Sequence, residues 1–154
     1  MNIFSCDPGI NGAGAVLDDG GDFIACFDLP TIGEGAQRRI DAANLADLIR
    51  QHTPYGFAIV EQASARPKQG VSSTFRYGMG YLVVVGVIGA LAIPVRHVSP
   101  AKWKALGLNS DSETSRARAI ETWPTQAELF VRKRDHNRAE AALLGLYASK
   151  ERTR

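Results

Sequence analysis

The chain has 154 residues, 45% of them hydrophobic, with 18 Lys and Arg against 16 Asp and Glu for a formal net charge of +2. That is the size of one ordinary domain, able to bury a core without disulfide staples. Its longest apolar run, Tyr81 to Val95, falls short of the roughly 20 residues that a bilayer span needs, and no charged-then-apolar leader opens the chain, so a soluble protein with no membrane partner is expected.

Asn2 to Cys6, Ala13 to Leu17 and Phe23 to Leu29 read as three strands, the last two joined by the tight turn Asp18-Asp19-Gly20-Gly21. Three successive antiparallel strands follow from that reading. Asp7 ends the first strand at the turn Pro8-Gly9-Ile10-Asn11-Gly12, and a carboxylate at a strand end beside a glycine-punctuated turn is a metal-ligand position. Residues 37 to 51 place Ile40, Ala43, Leu45, Leu48 and Ile49 near helical spacing with charges opposite, which predicts an amphipathic helix. The buried strand Gly56 to Val60 then delivers Glu61 at its carboxyl end, and a strand reached through a helical crossover runs parallel to its neighbour.

A polar, basic loop, Ala63 to Gly70, leads to Ser72 to Ala92, where the β-branched run argues strand. Its length, its lack of alternation and its small residues at helical spacing decide for a helix. Pro94 to Val98 makes a fifth strand, and Ser99 before Pro100 is the N-cap and first position of a short helix. After the loop Gly107 to Ser112 come a short helix, Thr114 to Thr122, ended by Pro124, and a terminal helix, Asn137 to Lys150. Cys6 and Cys26 lie in strand-like runs without metal-site spacing, so buried free thiols in a reducing cytoplasm are expected.

Charge is unevenly shared. Residues 1 to 60 hold three basic and eight acidic side chains, residues 61 to 154 fifteen basic and eight acidic. The second half is the one expected to face a polyanion, if the fold gathers its cations on one side.

The element order, three antiparallel strands and then helix, strand, helix, strand and an acid-bearing terminal helix, is that of the ribonuclease H-like fold: a mixed five-stranded sheet, three strands antiparallel and the later ones added in parallel, flanked by helices in one α/β domain. Within it the chain resembles the RuvC-type Holliday junction resolvases, through Asp7-Pro8-Gly9-Ile10-Asn11-Gly12-Ala13, Val60-Glu61-Gln62 and Arg138-Ala139-Glu140-Ala141-Ala142-Leu143-Leu144. Phe75 to Gly80 and Val95 to Lys104 are also similar to that family. The resemblance implies a homodimeric endonuclease that binds a four-way DNA junction and places paired symmetrical nicks with two Mg²⁺ ions per site, Mn²⁺ able to substitute. Hard cations prefer oxygen ligands, and two of them roughly 3.5–4 Å apart suit phosphodiester hydrolysis.

On that resemblance Asp7 bridges both ions, Glu61 binds one, and Glu140 binds the other or positions the attacking water. Similar enzymes carry an acid one helical turn before the last acid. Here Asn137 and His136 stand three and four residues before Glu140, and His136 is expected as the fourth ligand, with Asp135 as the alternative or as a partner of the imidazole. The competing reading is that the Asp135-His136 pair is an exposed cap at the helix start. Similar enzymes also place a lysine in the loop at Asn109 to Glu113; none is present, so Lys102, Lys104 or Arg138 is expected to meet the phosphate instead. Arg66, Lys68 and Arg76 are expected phosphate contacts, while Phe75 is either a wedge stacking on an unpaired base or a core residue, and Tyr77 more weakly so. Two other readings remain: a ribonuclease H-fold nuclease for structured RNA or other branched DNA, and a junction-binding module without catalysis. A sugar kinase or actin-like ATPase would need a second domain to hold its nucleotide between the two.

Overall fold

The computed structural model describes residues 1–62, 70–105 and 112–152. Strands β1 (Asn2–Asp7), β2 (Ala13–Leu17) and β3 (Phe23–Asp28) form an antiparallel meander. A small antiparallel hairpin follows, β4 (Thr31–Ile32) and β5 (Arg39–Ile40), with a 3₁₀ turn at Gly35–Gln37 between its strands. Helix α1 (Ala42–Arg50) then crosses over to β6 (Tyr55–Glu61), which lies parallel to β1. Helix α2 (Val71–Ala90), strand β7 (Val95–Val98), α3 (Pro100–Lys104), α4 (Ser112–Thr122) and α5 (His136–Arg152) complete the order. β7 adds in parallel to β6, giving the five-stranded order β3-β2-β1-β6-β7.

Side chains alternate across a strand, and here both faces are covered. Ile3, Ala15, Leu17, Phe57 and Ile59 point into one core with Trp103, Phe130 and the Ala- and Leu-rich face of α5. Phe4, Cys6, Val16, Ala58 and Val60 point into the other with Leu45 and Ile49 of α1 and Val84 and Ile88 of α2. The approach of α5 is close because its contact residues are small. A Cβ at Gly145 would lie 2.5 Å from Leu17 Cδ1 and 2.8 Å from Ser5 Oγ, and the Ser5 hydroxyl donates to the Ala141 carbonyl at 2.7 Å. That bond satisfies a buried hydroxyl that would otherwise oppose folding.

The first crossover helix is shorter than its apolar spacing predicts. Ile40 belongs to the β5 edge of the hairpin, and Asp41 is the N-cap, its carboxylate accepting from the amides of Ala43 and Asn44 at 3.1 Å each. Pro124 ends α4 as expected but opens a 3₁₀ stretch, Pro124–Phe130, which seats Phe130 in the core. The segment read as helix rather than strand is α2, 20 residues long. It is the one helix among the described residues long and apolar enough to cross a membrane by length and composition. In this fold Val84 and Ile88 pack it on the sheet, while Val71, Phe75, Met79 and Leu82 remain exposed.

Candidate active site

Asp7 ends β1 and Glu61 ends β6. Because the two strands are parallel neighbours with Cys6 opposite Val60, both carboxylates emerge at the same edge of the sheet. The turn after Asp7 is pinned by the Gly12 amide donating to the Gly9 carbonyl at 2.7 Å. Any side chain at Gly12 would collide with the carbonyl of Asp7, so the tight turn depends on that glycine. Helix α5, seated on β1 and β2, brings Glu140 to the same edge from its first turns, and α3, following β7, brings Lys104. Asp7, Glu61, Tyr77, Lys104, Asn137 and Glu140 thus face one pocket of about 410 Å³.

Each acid is held. The buried Glu61 carboxylate accepts from the Trp103 indole at 2.8 Å. Glu140 Oε1 accepts from Lys104 Nζ at 3.2 Å and from the Ser115 hydroxyl at 3.3 Å. Burial, followed by the negative charges of Glu61 and Glu140, pushes the Asp7 carboxyl up from 3.8 to about 6, although the Gly9 amide and Lys104 pull the other way. Among the described residues, three acids face this pocket with one ammonium beside them, a local excess of negative charge. A hard divalent cation fits that excess in charge and in donor type. Among the described residues no three His, Cys, Asp or Glu side chains are already gathered at ligating distance. The fit is therefore one of donor chemistry and electrostatics, with Glu61 bonded to Trp103 and Glu140 to Lys104 and Ser115.

The position beside Glu140 is taken by Asn137, which donates to the Asn11 carbonyl at 2.6 Å. Asn11 in turn accepts from Arg38 through its side-chain oxygen at 2.8 Å. The structure brings neither His136 nor Asp135 into the pocket. His136 is half-buried, with Nδ1 3.1 Å from the Lys133 carbonyl. Asp135 is buried, accepts from the Arg132 amide at 2.9 Å and pairs with the Arg132 guanidinium at 3.0 Å, capping the 3₁₀ turn Lys133–Asp135 that leads into α5. Burial alone would raise the Asp135 carboxyl; the Arg132 hydrogen bonds and charge, with Arg138 nearby, outweigh it and hold the group below its ordinary value.

Of the cations expected to meet a phosphate, Lys104 lies in the pocket and Arg76 is exposed on α2. Lys102 is exposed but lines a separate cavity of about 120 Å³ with His97 and Glu151. Arg138 is bound in bidentate fashion to Asp28 at 2.7 and 2.8 Å, and its side chain is only 19% exposed. Arg66, Lys68 and most of the loop around residue 110 lie outside the described residues. Phe75 is 67% exposed, which removes the core reading for its ring. Tyr77 is half-buried at the pocket wall. Trp103, Ser115 and Arg38 were not singled out by the sequence. Only Trp103 left a signal, four residues after the cap Ser99 on a helix following the parallel strand.

No family model matches the chain, and no curated protein does. Among solved structures, Thermus thermophilus RuvC in complex with a Holliday junction substrate aligns at a TM-score of 0.69 and 15% identity, over 99% of this chain and 96% of that one. A second T. thermophilus RuvC structure aligns at 0.59 and 18% identity over the same shares. The chain has a RuvC-like, ribonuclease H-like fold.

Proposed function

We propose that the chain is a divalent-metal-dependent endonuclease that resolves four-way DNA junctions by paired symmetrical nicks. The observation that carries this reading is the meeting of Asp7, Glu61 and Glu140 at one pocket of a RuvC-like fold, with Asp7 electrostatically strained by the other two. Junction DNA as substrate is supported by the similar structure described with a Holliday junction, and by the basic excess after residue 60.

Asp7, Glu61 and Glu140 would hold Mg²⁺, two ions per site with Mn²⁺ able to substitute. Bound there, the metal would supply a hydroxide nucleophile at neutral pH and neutralise charge on the leaving oxygen. The chain's own groups do the rest. Trp103 fixes the direction of Glu61, and Ser115 and Lys104 fix Glu140 through the same oxygen. The Lys104 ammonium, partly buried beside Glu140, lines the same pocket and would meet an entering phosphate, and charge in such a site is worth more than in water. Asn137 and Arg38 clamp the turn that carries Asp7 from two sides.

Symmetrical nicks require two sites related by a two-fold axis, which an isologous dimer supplies. Helix α2 offers the surface: Gly78, Leu82, Gly86 and Gly89 recur at three- and four-residue spacing. The added Cβ atoms at Gly78, Gly86 and Gly89 would meet nothing, so the stripe is open to close approach by a second copy. The free thiols Cys6 and Cys26 suit a cytoplasmic setting.

The test is incubation of the purified protein with end-labelled four-way, three-way and linear DNA and with structured RNA in Mg²⁺, followed by mapping of the cuts. Symmetrical nicks confined to the four-way junction are expected. Cleavage of structured RNA or of other branched DNA alone would move the reading to a ribonuclease H-fold nuclease of different substrate, and binding of junctions without any cutting would leave only a binding module.

A further inference from the structure

Glu61 and Glu140 are both held from one short helix, by groups of different kind. Helix α3 opens at Ser99, whose hydroxyl accepts from the Lys102 amide at 3.4 Å, and Trp103 and Lys104 are neighbours at its end. Adjacent helical residues point about 100° apart, so one can turn toward the end of β6 while the other turns toward α5. Trp103 is fully buried and donates its indole N–H to Glu61 Oε2 at 2.8 Å. Lys104 reaches Glu140 Oε1 at 3.2 Å, the two side chains 23% and 15% exposed. The same ammonium stands 5.1 Å from the centroid of the Trp103 ring, within cation–π reach of its face.

These two bonds respond differently to a divalent ion. The indole N–H carries no charge, so it orients Glu61 without cancelling the charge of the carboxylate, and a carboxylate has lone pairs beyond the one it lends to that donor. The Glu140 oxygen is shared with a cation, and positive charges brought together in one partly buried pocket repel. The Lys104 ammonium and a divalent ion are therefore rivals for Glu140, whereas Trp103 and the ion are not rivals for Glu61. We infer that Trp103 is a positioning residue that fixes the direction of Glu61 for metal binding, and that Lys104 is a stand-in cation that holds Glu140 in the metal-free protein and yields it to the incoming ion. The flexible stem and partial exposure of Lys104 allow that exchange, and the indole face gives the released ammonium a favourable contact close by. The inference rests on the reading of the pocket as a metal site. It also orders events, because the ammonium becomes available to a phosphate only once the ion has taken its place.

The test uses metal alone, without DNA. The two tryptophans of the chain give two indole N–H resonances under ¹⁵N labelling, and Trp123, bonded to the Gly21 carbonyl at 3.3 Å, is the internal reference. Titrating Mg²⁺ should move the Trp103 resonance saturably and leave that of Trp123 in place. Affinity is read from the electron paramagnetic resonance of free Mn²⁺. Lys104→Met, which keeps an unbranched stem and removes the charge, should bind Mn²⁺ about fivefold more tightly, the equivalent of one ion pair that no longer has to be broken, and should nick junctions more slowly in spite of it. Trp103→Phe, which keeps a ring and loses the donor, should bind about tenfold more weakly. Two residues that merely pack the site would weaken binding alike, so the opposite signs are the signature. Because Trp103 belongs to the core, the parent's resonance and Lys104→Met decide the matter even without that variant. Equal or weaker Mn²⁺ binding by Lys104→Met would overturn the exchange, and a Trp103 resonance unmoved while Mg²⁺ saturates the site would overturn the positioning role; the metal site would stand in both cases. A parent that binds neither ion and cuts no DNA would overturn the nuclease reading and this inference with it.

Discussion

Replacing Asp7 by Asn should stabilise the metal-free protein at neutral pH while abolishing cleavage. The Asp7 carboxyl titrates near 6 in the folded chain against 3.8 for the ordinary group, because it is partly buried among Glu61 and Glu140. An acid whose folded value lies above its unfolded one costs stability once ionised. The cost is fully present above about pH 6, shrinks as the folded protein takes up its proton between 6 and 4, and is gone below 3.8. A shift of about two units at 1.36 kcal/mol each sets an upper limit of about 3 kcal/mol. Solvent at the pocket mouth reduces this, to about 1–2 kcal/mol. The amide keeps the shape and removes the charge. Urea unfolding in EDTA should therefore find Asp7→Asn more stable than the parent by that amount at pH 7.5, with the two curves converging toward pH 4. Adding Mg²⁺ should raise the stability of the parent by mass action and that of the variant much less. Equal stability at pH 7.5 without metal, or equal stabilisation by Mg²⁺, would refute the account of Asp7 as a strained cation ligand.

Glu61→Gln and Glu140→Gln should each lower cleavage by at least 10³-fold with junction affinity in Ca²⁺ changed less than about threefold, as read by gel shift beside a nicking assay, since each removes metal charge without removing a phosphate contact. His136→Ala should cut within about threefold of the parent, whereas Asn137→Ala, which frees the Asn11 turn, should lose at least tenfold; the reverse order would mean that α5 starts in a different register when metal is bound. Leu82→Glu, on the 68%-exposed centre of the α2 stripe, should convert a dimer to a monomer in sedimentation velocity at micromolar concentration and uncouple the two nicks, while a monomeric parent that still cuts both strands in one binding event would end the dimer proposal.

How much of this could be read from residues alone differs from element to element. Asp7 was legible because Pro8 and Gly9 punctuate the chain where the first apolar strand ends, and Glu61 because it directly follows the apolar run Phe57 to Val60; the parallel crossover then places both at one edge. Glu140 needed the resemblance, since one acid on an alanine-rich helix looks like any solvated charge. The β4–β5 hairpin was hidden by Ile40, whose spacing from Ala43 and Leu45 imitates a helix face; Asp41, a carboxylate free to cap the amides of Ala43 and Asn44, was the local sign that the helix starts later. The pocket position next to Glu140 turned on whether the residue three or four before it faces the sheet. That register is set by the Arg132–Asp135 cap in the preceding turn, which no periodicity reports. Arg38 was illegible for a simpler reason: its partner Asn11 lies 27 residues away in the chain.

The seating of α5 on β1 and β2 reaches beyond packing. With Ser5 bonded to the Ala141 carbonyl and Gly145 leaving no room against Leu17, the helix rests on a hard stop, and the reach of Glu140 into the pocket is set by that stop as a ruler sets a length. An added methyl at residue 145 would lift the helix and carry Glu140 with it, although residue 145 touches neither substrate nor pocket. The geometry of the carboxylate pocket in this chain is thus inherited from a contact on the buried side of the helix. Lineages free to vary the solvent face of α5 would still be held to glycine at that one position.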